Sequence, residues 1–213
     1  MNAAAASVAD QLPADWRARL RRRLLPSPDH RIESCRYGGL TAELPAILQS
    51  AAVLIPIVER PQEPTLLLTQ RASHLRHHAG QISFPGGRLE PGDADVAAAA
   101  LRETEEETGI QAAFIEPIGF LCDHLVRTGF RITPVVALLQ PGFTLRPDDT
   151  EVAEIFELPL AFVLASANYR AQWRRLRDTD VEVWELAYGA RNIWGATAGM
   201  LANLREVLSG AAA

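Results

Sequence analysis

The sequence predicts one unit of the α/β (α+β) class, a mixed β-sheet with helices packed on it. Short apolar runs bounded by proline and glycine recur along the chain, as strands do, and elsewhere apolar residues recur at helical spacing. The two kinds of segment alternate irregularly, without the repeated βαβ rhythm of a doubly wound fold. With 213 residues, 48% hydrophobic and 22% charged, the chain is long enough for one sizeable core.

The elements follow in order. Asp15 to Leu25 reads as an amphipathic helix rich in arginine and stopped by Pro26 and Pro28, and Pro26 to Gly39 reads as a loop. Residues 51–57 and 65–69 are two strands joined by the turn Glu59 to Pro64, which makes a hairpin of them. Arg71 to Ser83, polar and basic with three histidines, reads as a loop that delivers side chains. A turn at Glu90 to Asp93 leads into a helix from Ala94 to Thr108, with Asp93 as its cap at the start and Gly109 as a left-handed cap at its end. Ala97 to Ala100 let that helix lie close to a sheet. Residues 113–121, 131–139 and 151–158 read as strands, 159–164 as a short helix, and Ala196 to Leu208 as the last helix. We divide the chain into an N-terminal extension, residues 1–45, and a domain of residues 46–209.

A net charge of -5 and a pI near 5.6 leave no basic excess to coat a nucleic acid, whereas a small anionic ligand needs only a local basic pocket. No apolar run approaches the roughly 20 residues that span a bilayer. The two cysteines, Cys35 and Cys122, form no paired spacing, which suits a reducing cytosol and predicts a cytoplasmic protein. The basic stretch from Trp16 to Leu25 has the character of a targeting segment, but Asp10 and Asp15 weigh against that, and an ordinary surface helix is the expectation.

The chemistry is concentrated in Arg102-Glu103-Thr104-Glu105-Glu106-Glu107-Thr108-Gly109-Ile110. On a helix Glu103, Glu106 and Glu107 stand at i, i+3 and i+4, so three carboxylates share one face while Glu105 points elsewhere. Such a face repels itself unless a cation neutralises it, and carboxylate oxygens suit hard ions such as Mg²⁺ or Mn²⁺ together with substrate phosphates. Upstream, Gly86 and Gly87 permit close backbone approach to a metal or phosphate. Arg71 and Arg76 are the candidates for gripping phosphate, since a guanidinium offers paired donors. His74, His77 and His78 read as loop histidines rather than a transition-metal site, and Phe156 and Trp194 as core rather than as platforms for a base.

These residues resemble the Nudix family. Its box, G-x5-E-x7-R-E-U-x-E-E-x-G-U with U apolar, matches strongly over its second half. In the first half the box glycine falls on Arg88 and the first glutamate on Ala94, so the turn carries one extra residue after Gly87; Asp93 is the nearest acid, and Thr104 takes a position that is usually apolar. Leu67-Leu68-Thr69-x-Arg71, Arg76, Gly80 and Phe84-Pro85-Gly86-Gly87 resemble the signature of the coenzyme A pyrophosphatase branch, with Ala72 where that signature has serine. The resemblance covers roughly Ala51 to Leu204.

It implies the Nudix fold, an α/β/α sandwich with a mixed sheet, and hydrolysis of the diphosphate of coenzyme A or acyl-CoA to 3′,5′-ADP and 4′-phosphopantetheine or its acyl form. It further implies metal ligation by Glu103, Glu106, Glu107 and the Gly87 carbonyl, with Arg102 holding a neighbouring ligand in place. Glu106 or Glu151 would accept the proton, and Arg71, Arg76 and Gly86 would meet the substrate. The expected partner is a coenzyme A-like nucleotide, with no nucleic acid and no membrane; a homodimer is expected by analogy alone. Two alternatives stand beside it: a Nudix pyrophosphatase of NADH, ADP-ribose or an oxidised nucleotide, and a catalytically silent Nudix module that binds a nucleotide.

Overall fold

The computed structural model of the chain describes residues 12–28, 47–126, 128–176 and 179–210. Most of the loop expected over 26–39, the extension's boundary near 45 and Cys35 lie outside them. In chain order the first strands are β1 (Gln49–Val58), β2 (Thr65–Arg71), β3 (Ile82–Ser83) and β4 (Gly86–Arg88). Next come β5 (Ile115–Phe120), β6 (His124–Val126), β7 (Phe130–Leu139) and β8 (Val152–Pro159). These eight form one mixed sheet, in which β1 runs parallel to β7 along its whole length and every other pairing is antiparallel.

The hairpin expected of β1 and β2 forms, yet it is paired only at Ile57 with Leu66 and Val58 with Thr65, beside the turn. Beyond that the two strands diverge, and residues 82–88 fill the fork. β3 pairs with β2 at Thr69 and Gln70, β4 pairs with β1 at Ala51 to Val53, and the Leu54 N–H donates to the Pro85 carbonyl at 2.9 Å. The segment read as one long loop, 71–83, therefore begins and ends in strand, and Gly86-Gly87 is carried into the middle of the sheet.

Because side chains alternate along a strand, the sheet buries both faces. Leu54, Leu67, Val135 and Ala137 point to one side, where α2 (Val96–Thr108) lays Ala99 and Ala100 against them. Ile55, Leu66, Leu68, Val136 and Leu138 point to the other, packed by α1 (Trp16–Arg23), α3 (Leu160–Leu164) and α4 (Ala196–Ser209). The result is the expected α/β/α sandwich. α1 buries Trp16, Leu20 and Leu24 and leaves Arg21 to Arg23 exposed, as an amphipathic surface helix should. Leu25 and Phe120 exchange two backbone hydrogen bonds of 2.9 Å just beyond it.

Two differences from expectation have local causes. α2 starts at Val96 rather than Ala94, and its cap is Asp95, whose carboxylate accepts from the Ala98 N–H at 2.8 Å; Asp93 is engaged elsewhere. Residues 169–194, to which the sequence reading assigns no element before Ala196, form a separate antiparallel sheet of β9 (Tyr169–Leu176), β10 (Thr179–Tyr188) and β11 (Arg191–Trp194). Its strands carry charged residues among the apolar ones, arginines in β9 and acidic residues in β10, so that the apolar signal is faint. Among the described residues no helix is long and apolar enough to cross a membrane.

Candidate metal and phosphate site

The carboxylates of α2 face the fork. Gly87 lies under Glu103 so closely that a Cβ there would collide with the Glu103 carboxyl group. At Gly86, with φ 153°, a Cβ would strike the Ala52 carbonyl and the Val53 backbone. Glycine is required at both positions for different reasons, one to admit a carboxylate and the other to pass the neighbouring strand.

Arg102 organises the near end of the site. Its Nε and Nη2 donate to the two oxygens of Asp93 at 3.0 and 3.1 Å, its Nη1 donates to Glu103 and to Glu106 at 3.0 Å each, and its Nη2 reaches the Arg88 carbonyl at 3.1 Å. The paired bond to Asp93 holds that carboxyl below the usual carboxylate range and holds the guanidinium above its own. Asp93 also accepts from the Glu90 N–H at 2.8 Å, which closes the turn. The extra residue after Gly87 thus brings this acid to Arg102. A clue lies in the sequence, since Asp93 is the acid nearest the missing box glutamate.

At the far end Glu107 is 5% exposed. The Gly86 N–H favours the charged form of its carboxyl, Arg71 stands 3.9 Å away, and its Oε2 is buried without a hydrogen-bond partner. Burial pushes this carboxyl up to about 8; the nearby charge of Arg71 opposes the shift, and those of Glu103 and Glu151 add to it. Burial also raises Glu103, against the pull of Arg102. Arg71 continues to Glu151 at 3.6 Å. Glu151 sits one residue before β8 rather than within it, and its carbonyl accepts from the Ala72 N–H at 2.8 Å. Position 72 is buried, so the side chain that differs from the branch signature faces the interior.

Of the residues the sequence singles out, the structure brings together Arg71, Gly86, Gly87, Arg102, Glu103, Glu106, Glu107 and Glu151. Arg76 is exposed on the loop between β2 and β3. On that loop His74 bonds the Thr150 carbonyl at 3.1 Å and His78 bonds Gln81 at 2.8 Å. Thr104 is fully buried and donates to the Ala100 carbonyl at 2.6 Å, which is how a hydroxyl occupies an apolar position. Phe156 is core, as expected; Trp194 is only partly buried and lines a groove.

The donor set fits a hard divalent cation. A buried carboxylate oxygen lacks a partner, the charges of Glu103 and Glu151 raise the proton affinity of Glu107, and a glycine cradle keeps the space over Glu103 clear. Among the described residues no three acidic, histidine or cysteine side chains already converge as a ligand set; Glu103 and Glu106 are each bonded to Arg102.

The NUDIX domain model matches residues 48–178, more than half of the chain. The chain belongs to the Nudix family. Curated relatives agree: the protein described as "Uncharacterized Nudix hydrolase NudL" of Escherichia coli O1:K1 / APEC is 47% identical over 156 residues, which are 73% of this chain and 81% of that protein. The same description and figures hold for Shigella boydii serotype 18. Among solved structures, the Nudix hydrolase RenU of M. smegmatis aligns with a TM-score of 0.53 over 78% of this chain and 88% of that one; at 18% identity this likeness is of fold alone. The chain is thus a Nudix hydrolase, a pyrophosphohydrolase acting on phosphorus-containing anhydrides of small nucleotide derivatives, and Nudix hydrolases generally need divalent metal ions.

Proposed function

We propose that this Nudix hydrolase cleaves the diphosphate of coenzyme A or acyl-CoA to 3′,5′-ADP and 4′-phosphopantetheine or its acyl form, using Mg²⁺ or Mn²⁺. The observation that carries this reading is the place of Arg71. The arginine of the Leu67-Leu68-Thr69-x-Arg71 signature stands between the buried Glu107 and Glu151, so one residue that marks the coenzyme A branch lies at the carboxylate site itself.

In this reading Glu103, Glu106, Glu107 and the Gly87 carbonyl hold the metal. A divalent ion bound there neutralises diphosphate oxygens and makes water a better nucleophile near neutral pH. Arg102, tied to Asp93, orients Glu103 and Glu106 toward that role. In this reading Arg71 and the Gly86 backbone orient the diphosphate, and Arg76, exposed on the loop between β2 and β3, meets the 3′-phosphate. Glu106 and Glu151 are both more than half or about half exposed, at 59% and 50%, so either can accept a proton and pass it to solvent.

Coenzyme A, NADH and ADP-ribose assayed side by side with Mg²⁺, with product analysis, test the substrate. We expect coenzyme A to be turned over fastest and to yield 3′,5′-ADP. Equal or faster turnover of NADH or ADP-ribose would assign the site to another nucleotide diphosphate.

A further inference from the structure

The connection from β7 to β8 ends at Glu151, and residues 144–151 of it are all exposed, so burial contributes little there and hydrogen bonds decide its course. The Arg146 N–H donates to the Thr108 carbonyl at 2.8 Å and the Asp148 N–H to the Glu107 carbonyl at 3.1 Å, which takes up two of the carbonyls that the last turn of α2 leaves open. The end of α2 that carries Glu107 is thereby tied to the segment that carries Glu151. From the other side the Ala72 N–H donates to the Glu151 carbonyl at 2.8 Å, and His74 bonds the Thr150 carbonyl at 3.1 Å.

Asp148 makes the turn itself. Its carbonyl accepts from the Glu151 N–H at 2.9 Å and from the Val152 N–H at 2.8 Å. One oxygen of its carboxylate accepts from the Thr150 N–H at 2.8 Å and from the Thr150 hydroxyl at 2.7 Å. A side-chain oxygen that bonds the backbone two residues on fixes a turn. The Thr150 hydroxyl, with the Thr150 N–H after it, holds this carboxyl below the usual carboxylate range, so the acceptor is charged and its bonds are of the stronger kind. The side chain that the turn delivers is the Glu151 carboxylate, 3.6 Å from Arg71, whose guanidinium stands 3.9 Å from Glu107. Glu106, the other candidate acceptor of the proton, is instead bonded to Arg102 at 3.0 Å.

We infer that Asp148 is a positioning residue for the reaction: it locks the turn that aims Glu151 at the carboxylate site, where Glu151 rather than Glu106 accepts the proton. The water oxygen bonds to phosphorus as the bridging P–O bond breaks, one water proton passes to the Glu151 carboxylate, and the leaving phosphate keeps the electron pair. The inference rests on the proposed reading only in giving Glu151 a part in the hydrolysis, so the assays use whichever of coenzyme A, NADH and ADP-ribose is hydrolysed fastest. Asp148→Ala should lower kcat about 10- to 100-fold while KM stays within about threefold. Asp148→Asn keeps an acceptor for Thr150 and should restore kcat to within about threefold of wild type. Glu151→Gln should lower kcat at least as far as Asp148→Ala, and adding Asp148→Ala to it should change kcat less than about threefold further, because residues that act as a unit are not additive. In the metal-free protein, hydrogen exchange over residues 148–152 should quicken about tenfold in Asp148→Ala and return to the wild-type rate in Asp148→Asn. If Asp148→Ala does not fold, Thr150→Val, which removes the hydroxyl bond alone, takes its place in the cycle with a kcat loss of about threefold or more. Three results each overturn the inference: an Asp148→Ala kcat within about twofold of wild type, a loss that multiplies in full onto that of Glu151→Gln, or unchanged exchange. Full turnover by Glu151→Gln also overturns it, and marks the failure as that of Glu151 in the proposed reading rather than of Asp148 alone. Failure of the coenzyme A reading in the substrate panel leaves all of these ratios readable.

Discussion

Glu107 concentrates the electrostatics of the site in one residue. Its buried carboxyl, pushed up to about 8, keeps a proton in the folded, metal-free protein at pH values where the unfolded chain has released it. Folding therefore becomes less favourable as pH rises from the unfolded value near 4.5 toward 8, by on the order of 4 kcal/mol over the window. Thermal melts of the metal-free protein should show a Tm that declines between about pH 5 and pH 8, and Glu107→Gln should flatten that decline. Mg²⁺ competes with the proton, so its stabilising effect on the wild type should be larger at the alkaline end. The same variant should lose turnover by more than about a hundredfold together with its Mg²⁺-dependent Tm shift. A variant that keeps that shift would remove Glu107 from the metal site.

Between the turn and α2, one ion pair sets the geometry of two candidate ligands. Asp93→Asn weakens the paired bond to Arg102 and so loosens Glu103 and Glu106; Mg²⁺ titration of activity should show about 10- to 100-fold weaker apparent affinity, with kcat largely recovered at saturating metal. The two glycines separate function from folding. Gly87→Ala should abolish activity with a modest change in Tm, because the new methyl meets only the end of the Glu103 side chain. Gly86→Ala meets backbone in a left-handed φ and should lower stability by about 1–3 kcal/mol or more in a denaturant titration. The glutamate face of α2 was legible because a 3.6-residue period is local. Which of Asp93 and Asp95 caps the helix was not, since both precede it in a turn and only the contact with Arg102 tells them apart.

For the molecule as a whole, the helix before the matched domain is part of its core. Leu20 is fully buried beside α4, and α1 adds an Arg23 bond to the Val207 carbonyl at 3.2 Å and an Arg21 ion pair to Glu116 at 2.8 Å. Exposed pairs of this kind contribute little, so the apolar contact decides. Leu20→Ala should cost about 2–5 kcal/mol in urea unfolding and leave the KM for substrate unchanged. A variant as stable as wild type would make α1 a dispensable appendage.

The alternation of strands and helices, the carboxylate face, the double glycine and the arginine signature were readable from the chain alone, because each depends on neighbours within a few residues. The tertiary structure alone decided that β1 and β2 part after two pairs, that the fork receives Gly86-Gly87 beneath Glu103, and that Arg71 stands between Glu107 and Glu151. It alone revealed β9 to β11 and the groove they close with Trp194. These are matters of strand register and of contacts between distant segments, chosen by what the two faces of the sheet must bury, and no local period in the sequence encodes them.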